Sequence, residues 1–240
     1  MSAPAMQQTT QQSANAEFDA YADNYDEALA MGLSVTGEPK EYYASARVWW
    51  LAKQLARAKW SVRTVMDFGC GTGSGVPFLF DGLNAKLVHG VDVSAASLET
   101  ARKVHKRDGT TFALIDEPIG PTFDLAFCNG VFHHIPVADR DAAARYVYDA
   151  LVPGGMFALW ENNPWNPGTR YIMSRVPFDR DAITMTPPET RRLLRGAGFE
   201  IVRTDFLFVF PHLLRALRPL ERVLSPLPIG GQYLVLARKR

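Results

Sequence analysis

A series of glycines and two aspartates are the residues of this 240-residue chain whose types and spacing point to chemistry. Glycines stand at positions 69, 71, 73 and 75, directly after the apolar run Thr64–Phe68, and Asp67 lies in that run. Glycine lacks the Cβ atom that would hold a ligand away from the backbone, and it permits positive φ in a tight turn. A carboxylate near the end of an apolar strand is costly to bury alone, so Asp67 suits a ligand that carries positive charge.

The spacing of these glycines excludes two common phosphate-binding loops. The dinucleotide fingerprint needs Gly-x-Gly-x-x-Gly, but its third position is Ser74 when counted from Gly69 and Val76 when counted from Gly71. No Gly-Lys-Ser/Thr follows, so the pattern of a nucleotide P-loop is absent as well. Asp92 ends the next apolar run, where a carboxylate can accept both hydroxyls of a ribose. A ligand with a cationic part, a ribose and no phosphate describes S-adenosylmethionine.

Four segments then resemble, in order, the motifs of the class I S-adenosylmethionine-dependent methyltransferases. Residues 67–73 (DFGCGTG) are similar to the first motif of this family, and residues 90–94 (GVDVS) to its second-strand motif. The similarity continues through residues 123–135 (FDLAFCNGVFHHI) and 151–155 (LVPGG), and it covers about residues 62–161. The resemblance implies a small-molecule methyltransferase with S-adenosylmethionine as cofactor. It also implies a seven-stranded sheet whose last strand is antiparallel.

The resemblance assigns cofactor-binding roles to residues that follow the first four strands and to one tyrosine near the N-terminus. Asp67 would lie near the amino group or the sulfonium, Asp92 would bind the ribose, and Val93 would flank the adenine. The implied cofactor-binding residues are Tyr25, Asp67, Gly69, Cys70, Gly71, Asp92, Val93, Asp116, Asn129 and Gly130.

Methyl transfer is a displacement at an activated carbon, so the protein contributes mainly alignment. A general base helps when the acceptor is a hydroxyl or a protonated amine. His134 and His133, just past the fourth predicted strand, are the candidate catalytic bases, and a packing role at the start of a helix is the alternative. No cluster with metal-ligand spacing is evident, so no metal site is expected.

The acceptor is expected to bind beside the end of the fifth predicted strand and under the N-terminal helix. Residues 163–165 (NPW) resemble the signature of amino-methylating DNA enzymes, but that signature belongs after strand four, where residues 128–131 read CNGV. A nucleobase acceptor is therefore disfavoured. For the asparagines, capping of a local turn is the alternative. The candidate acceptor-binding residues are Tyr21, Glu161, Asn162, Asn163 and Arg170.

Alternating strands and helices must position these residues. The pattern predicts strands at 64–68, 86–93, 110–115, 123–128, 156–160, 200–210 and 233–237, and helices at 41–59, 94–106, 137–151 and 187–197. Continuous apolar strands predict a mostly parallel sheet that is covered on both faces, a Rossmann-like three-layer α/β sandwich. The last strand lacks a crossover helix of the same type and is the candidate antiparallel member. In such sheets the ligand lies outside the carboxyl ends of the strands.

Outside this core, composition predicts a disordered leader at residues 1–16 and a single domain over 17–240. Within the domain we expect a helical cap at 17–61, a cofactor-binding core at 62–161, and acceptor-side insertions at 162–186 and 211–230. In the cap, residues 18–29 predict a short helix that carries Tyr21 and Tyr25 on one face, as a lid would.

The chain carries 26 Lys and Arg against 25 Asp and Glu, and the balance is uneven. From Arg191 to the end there are ten bases and three acids, a net charge of +7. This tail could face phosphates, an anionic membrane surface or nucleic acid, or be an ordinary solvated face. In the segment 211–230, Leu213, Leu217, Leu220 and Leu224 predict one face of a helix that Pro219 would kink, with arginines on another face. We expect this helix to pack on the sheet, and the alternatives are that it covers the site or meets a lipid surface.

Two cysteines, no apolar run of transmembrane length and no Lys or Arg before Lys40 predict a soluble cytoplasmic protein without a signal peptide. We expect methyl transfer to an oxygen or nitrogen of a small molecule, or of a lipid- or sugar-linked intermediate, with no nucleic-acid partner. Two alternatives stay open. One is a cofactor-binding partner without catalysis, and the other is an RNA or protein methyltransferase recruited through the basic C-terminal region. The sequence leaves the oligomeric state undecided.

Overall fold

The computed structural model describes residues 32–117, 123–180 and 182–240. Its strands form one seven-stranded sheet in the order β3-β2-β1-β4-β5-β7-β6. β7 runs antiparallel to both β5 and β6, and the other neighbours are parallel. The predicted Rossmann-like class and the antiparallel last strand are confirmed. The strands are β1 (Thr64–Phe68), β2 (Leu87–Asp92), β3 (Thr110–Leu114), β4 (Phe123–Asn129), β5 (Leu151–Asn162), β6 (Phe199–Leu207) and β7 (Gln232–Lys239).

Helices connect the strands and carry the caps that the sequence predicts. The Ser94 side chain accepts a hydrogen bond from the backbone N–H of Ser97, and Thr186 forms a capping box with Glu189. The helices of the described part are α1 (Lys40–Arg57), α2 (Val76–Leu83), α3 (Ala95–Val104), α4 (Arg140–Ala150), α5 (Pro167–Arg175), α6 (Pro187–Gly196) and α7 (Glu221–Leu224).

Two apolar cores lie on opposite faces of the sheet. Successive residues of β1 alternate between them, with Met66 and Phe68 in one core and Val65 in the other. Each is fully or almost fully buried, so both faces of β1 are covered, as a mostly parallel sheet requires. Strand order reverses between β1 and β4, which is where such sheets bind their ligands.

Three segments differ from the sequence-based expectation. β5 begins at Leu151, earlier than predicted, and its pairing with β4 shifts register there, so the Pro-Gly-Gly turn is absorbed into the strand. The segment 162–186, expected to be irregular, contains α5, which is capped by Asn166 and has proline in its first turn. The segment 211–230 contains a 3₁₀ helix, His212–Leu220, followed by α7, instead of one kinked α-helix.

Residues 1–31 and 118–122 lie outside the described residues. The predicted leader, the helix over 18–29 and both lid tyrosines, Tyr21 and Tyr25, therefore stay predictions. Among the described residues, no helix combines the length and the apolar character needed to cross a membrane.

Candidate active site

The glycine loop after β1 lies against the segment that follows β4. Gly69 adopts φ +71°, and a Cβ atom there would collide with the side chain of Val131. Gly71 also has positive φ, at +52°, but nothing lies within 4 Å of the position that its Cβ would take. The loop therefore packs tightly on one side and leaves open space on the other, where a ligand can approach the backbone.

This open space is a small cavity of about 110 Å³ at the carboxyl end of β1. Five of the predicted cofactor-binding residues border it: Asp67, Gly69, Cys70, Gly71 and Asn129. Burial raises the pKa of the Cys70 thiol, so this cysteine is a packing residue and not a reactive thiolate at neutral pH.

The carboxylate of Asp67 is the least satisfied charged group of the small cavity. It is 5% exposed, and it makes no hydrogen bond or ion pair with any residue of the described ranges. Burial, and then the nearby negative charge of Asp92, raise the pKa of Asp67 to about 7. A buried carboxylate without a partner favours the arrival of a cationic group.

Asp92, in contrast, is held on both of its oxygens. Oδ2 accepts a hydrogen bond from the backbone N–H of Gly71 at 2.7 Å, and Oδ1 accepts one from Ser94 at 2.9 Å. The carboxylate thus ties the glycine loop to the start of α3. A carboxylate oxygen can accept more than one hydrogen bond, so these two bonds alone do not exhaust the acceptor capacity of a carboxylate.

A larger cavity of about 350 Å³ lies beside the small one. Asn129 and Arg47 border both cavities, so they form the boundary between them. The Oδ1 atom of Asn129 is buried, and it has no hydrogen-bond partner in the described part of the chain. Arg47 donates a hydrogen bond from Nη1 to Oε1 of Gln232 at 2.8 Å. Most other lining residues come from α1, α5, and the chain around β6 and β7.

Both candidate bases, His133 and His134, line the larger cavity, but they are bonded differently. His133 is buried, with Nδ1 2.6 Å from Glu161 Oε2 and Nε2 3.4 Å from Asp179 Oδ1. Burial opposes the charge, yet these two carboxylates raise the pKa of His133 to about 10. The ring is therefore a held cation near neutral pH, which does not suit a general base.

His134 is the better placed of the two for proton transfer. Its Nε2 lies 3.2 Å from Asp179 Oδ1, and its side chain is partly exposed to the cavity. Hydrogen bonds from both imidazoles outweigh burial and lower the pKa of Asp179 to about 2. Asp179 therefore stays ionised and orients both rings.

One grouping here was not expected from the sequence. Donor atoms of His133, His134 and Asp179 lie within 4.8 Å of one another, a set that could hold a metal ion. The expected absence of a metal site stays a prediction.

Six of the predicted acceptor and cofactor residues that the structure describes line neither cavity: Asp92, Val93, Asp116, Glu161, Asn163 and Arg170. Glu161 accepts from Phe132 N and binds His133, so its carboxylate is used inside the protein. Asn163 is fully buried and donates to the carbonyl of Gly230 at 2.8 Å, which is a structural clamp. Arg170 and Asp116 are exposed and line neither cavity.

The remaining predicted residues divide between the cavities and their surroundings. Asn162 and Gly130 line the larger cavity, and Asn162 accepts from Gln232 at 3.1 Å. Val93 is half-buried beside Asp92 and borders neither cavity. Several lining residues carried no strong signal in the sequence, because they stand on elements far apart in the chain: Lys40, Tyr42, Tyr43, Arg47, Phe208 and Gln232.

Comparison with known proteins identifies a methyltransferase domain within the chain. Residues 66–157 match the protein family described as "Methyltransferase domain", and this range contains the glycine loop, Asp92, Asn129 and both histidines. This part of the chain is a methyltransferase domain, and the fold is that of the class I S-adenosylmethionine-dependent methyltransferases. S-adenosylmethionine is the cofactor of this family.

Three known proteins are similar to this chain in sequence or in fold. A carboxy-S-adenosyl-L-methionine synthase of Campylobacter curvus is 28% identical over 170 residues, 59% of this chain and 71% of that protein. A trans-aconitate 2-methyltransferase of Rhizobium etli is 34% identical over 102 residues, 41% of this chain and only 38% of that protein. A Thermotoga maritima structure, described as a possible histamine N-methyltransferase, shares the fold with a TM-score of 0.63 and 21% identity, over 95% of this chain and all of that one.

The residues of the methyltransferase fit this cofactor. The unpaired carboxylate of Asp67 suits the cationic amino group or sulfonium, and the open face of Gly71 admits a ligand against the backbone. Asp92 lies next to the small cavity through its hydrogen bond to Gly71, and a carboxylate is the group that ribose hydroxyls require as acceptor. The orphaned Oδ1 of Asn129 lies between the two cavities, where a donor of the bound cofactor could satisfy it. These residues would hold the cofactor.

Replacing Asp92 by Asn tests this arrangement. An amide group presents one acceptor instead of two, so it loses a charge-assisted hydrogen bond to the loop and the capacity for a ribose. We expect S-adenosylhomocysteine to bind at least about tenfold more weakly, as the loss of about 1.5–3 kcal/mol would give. Isothermal titration calorimetry measures the affinity, and Asp81→Asn on the exposed surface is the control with the same change of charge. Unchanged affinity in Asp92→Asn would exclude Asp92 from the cofactor site.

Proposed function

We propose that the methyltransferase transfers the methyl group of S-adenosylmethionine to an oxygen or nitrogen of a small molecule, free or lipid- or sugar-linked, that binds in the larger cavity. The observation that carries this proposal is the buried, unpaired carboxylate of Asp67 in a cavity that shares two wall residues with a second, larger one. Two adjoining cavities are what a cofactor and a separate acceptor require. A cytoplasmic location belongs to the same proposal.

The lining of the larger cavity favours an acceptor with an anionic group and an apolar part. Lys40 and Arg47 contribute positive charge, while the one acid of the lining, Asp179, is matched by two histidines. Tyr43 and Phe208 pack edge to face at 4.9 Å and offer an aromatic wall. The relative from Rhizobium etli is named for an acidic acceptor, which supports the same chemistry here.

In this proposal the chain contributes alignment and one proton transfer. When bound, S-adenosylmethionine supplies a methyl group that its sulfonium activates. Asn129 and Arg47, on the boundary of the cavities, would position the acceptor for an in-line displacement. His134 would take the proton from the acceptor hydroxyl or ammonium, and Asp179 would hold His134 in place. His133 and Glu161 would fix the segment that carries both histidines.

Two measurements test the proposal in sequence. Calorimetry with S-adenosylhomocysteine tests cofactor binding, and a folded sample without a binding signal would overturn it. Formation of S-adenosylhomocysteine from S-adenosylmethionine is then measured with small carboxylic acids, phenols, primary amines and lipid extracts. Turnover with a molecule of one class, and its loss in Asp67→Asn, would support the proposal. Binding without turnover on any class would favour the cofactor-binding partner that the sequence left open.

A further inference from the structure

The segment after β6 exposes an unusual row of large aliphatic side chains. Leu217 and Leu220 share one face of the 3₁₀ helix. Leu214, at the kink of that helix, and Val223, in α7, continue the same three-residue spacing in the sequence. All four are exposed, Val223 at 78%, and the neighbouring Leu213 is 90% exposed. Contiguous exposed apolar surface of this kind marks an interaction site more often than isolated surface leucines do.

Buried polar contacts hold this segment in place from below. The Glu221 carboxylate accepts hydrogen bonds from the backbone N–H groups of Phe208, Val209 and Phe210, at 3.0 to 3.2 Å. Arg218 is paired with Glu38 at 2.8 Å. These hydrogen bonds and this ion pair fix the position of the segment that carries the exposed aliphatic row.

Cationic and aromatic side chains adjoin the aliphatic row. Trp49 of α1 is 47% exposed, with Lys53 Nζ 3.5 Å from its ring centroid and the Arg222 guanidinium 5.5 Å from it. Partial burial and the proximity of Arg222 and Arg57 lower the pKa of Lys53, because like charges are gathered here. Within the described part of the chain, no ion pair joins Lys53, Arg57, Arg215 or Arg222 to an acid.

We propose that this docking face, formed by Leu213, Leu214, Leu217, Leu220 and Val223 with Trp49, Lys53, Arg215 and Arg222, binds the surface of an anionic lipid bilayer. Exposed aliphatic residues flanked by cations and an amphipathic aromatic match the interface between acyl chains and headgroups. Surfaces that bind nucleic acids instead combine cations with aromatic side chains on which bases stack. A nucleic-acid partner would therefore not account for the five exposed aliphatic side chains. A second copy of the chain would bring the same cations together, which charge repulsion opposes.

The docking face adjoins the larger cavity along the chain. Phe210 and Pro211 line that cavity, and Leu213 stands two residues after Pro211. An acceptor dissolved in the bilayer would therefore meet the cavity where the protein meets the lipid. The binding of lipid itself does not depend on the proposed methyl transfer.

Vesicle flotation tests the docking face with the full chain. We expect binding to vesicles of phosphatidylcholine with phosphatidylglycerol and much weaker binding to phosphatidylcholine alone. The double variant Leu213→Ser with Val223→Ser should lower the partition coefficient about tenfold, because serine buries less apolar surface in the bilayer than leucine or valine does. Lys53→Gln with Arg222→Gln should remove most of the preference for the anionic lipid. Each lost charge should lower the partition coefficient for the anionic vesicles about fivefold.

Val104→Ser is the matched control, because Val104 is 65% exposed on α3 and lies outside the docking face. All variants must retain thermal stability and S-adenosylhomocysteine affinity, so that a loss of lipid binding reflects the surface alone. Absence of vesicle binding, or equal binding by Leu213→Ser with Val223→Ser, would overturn the proposal. Salt-sensitive binding of RNA without vesicle binding, or a dimer in sedimentation that the same variant dissociates, would assign the face to another occupant and overturn it as well.

Discussion

Replacing Asp67 by Asn should stabilise the ligand-free methyltransferase while it weakens cofactor binding. The carboxylate is buried with no described partner, and burial together with Asp92 raises its pKa from 3.8 to about 7. An acid whose pKa is higher in the folded state contributes stability below its unfolded pKa, and that contribution is lost as pH rises through the folded pKa. At pH 8 the folded wild type therefore carries a penalty of up to about 4 kcal/mol, the free energy of a pKa difference of three units. The neutral amide of Asn avoids this penalty.

Cofactor affinity should change in the opposite direction. An ionised Asp67 attracts the amino group of S-adenosylhomocysteine, so wild-type affinity should increase between pH 6 and pH 8 as the group with a pKa of about 7 ionises. Asp67→Asn should bind about a hundredfold more weakly at pH 8, as the loss of one charged hydrogen-bond partner at the upper end of about 1.5–3 kcal/mol predicts. Its affinity should also lose most of the pH dependence.

Urea unfolding at pH 5 and pH 8 and calorimetry across the same range measure both effects. The gap in stability between Asp67→Asn and the wild type should widen as pH rises. Asp81→Asn, on the exposed surface, should change neither quantity. A variant that is less stable than the wild type at pH 8, or that binds S-adenosylhomocysteine as tightly, would show that a group within the protein already compensates Asp67.

The cofactor side of the site was predictable because its signals are local. Asp67 and the glycines follow one another in the chain, so one short segment carries the whole signal. Asp67 is an acid in an apolar strand, and Gly69 and Gly71 tolerate the positive φ that the loop requires. Asp92 ends the neighbouring strand, two residues beyond Gly90, which pairs with Asp67. Parallel pairing of β1 with β2 then brings these residues together in the structure.

The acceptor side was less predictable because topology assembles it from distant segments. Arg47 of α1 donates a hydrogen bond to Gln232 of β7, which lies 185 residues later in the chain, and no pattern in either segment predicts this contact. Glu161 was predicted to bind the acceptor, but a buried His133 lies within its reach and the charge pairing takes the carboxylate inward. The sequence placed Glu161 correctly at the carboxyl end of β5. Whether its carboxylate faces the cavity or the protein interior depends on packing, which the sequence does not show.

The segment after β6 shows the same limit at the level of secondary structure. Its leucines at 213, 217, 220 and 224 match an α-helical face, so the sequence predicted a kinked helix that packs on the sheet. Pro219 cannot donate the hydrogen bond that an α-helix needs, and Leu214 has φ −104°, outside the helical range. The 3₁₀ helix leaves Leu217 and Leu220 exposed, which a helix packed on the sheet through its leucines would not do.

Substituting the adjacent histidines one at a time should separate fold from catalysis. His133→Gln leaves the buried carboxylates of Glu161 and Asp179 without their shared cation, and breaking a buried ion pair in this way costs about 3–5 kcal/mol of unfolding free energy. His134→Gln removes a partly exposed ring at the cavity wall, so it should leave stability nearly unchanged. If His134 is the general base, its loss should lower kcat about 10²–10⁴-fold.

The pH dependence of stability distinguishes this role of His133 from simple packing. Its pKa rises from 6.5 to about 10 in the folded state, so its contribution is complete below pH 6.5 and is lost as pH rises through about 10. Wild type and His133→Gln should therefore differ most near neutral pH and converge in alkali. Asp179, whose pKa falls to about 2, contributes in the opposite sense, and its share is lost as pH falls from 3.8 through 2.

A double variant completes the test, because it removes the charge on both sides of the closest pair. Glu161→Gln alone should cost about as much as His133→Gln, while the combination should cost less than the two single losses together, since no unpaired charge remains between those positions. Additive losses would mean that the pair is not coupled and that the raised pKa of His133 has another source. A stable His133→Gln with kcat as low as that of His134→Gln would transfer the catalytic role to His133, because stability would then no longer explain its burial between two acids.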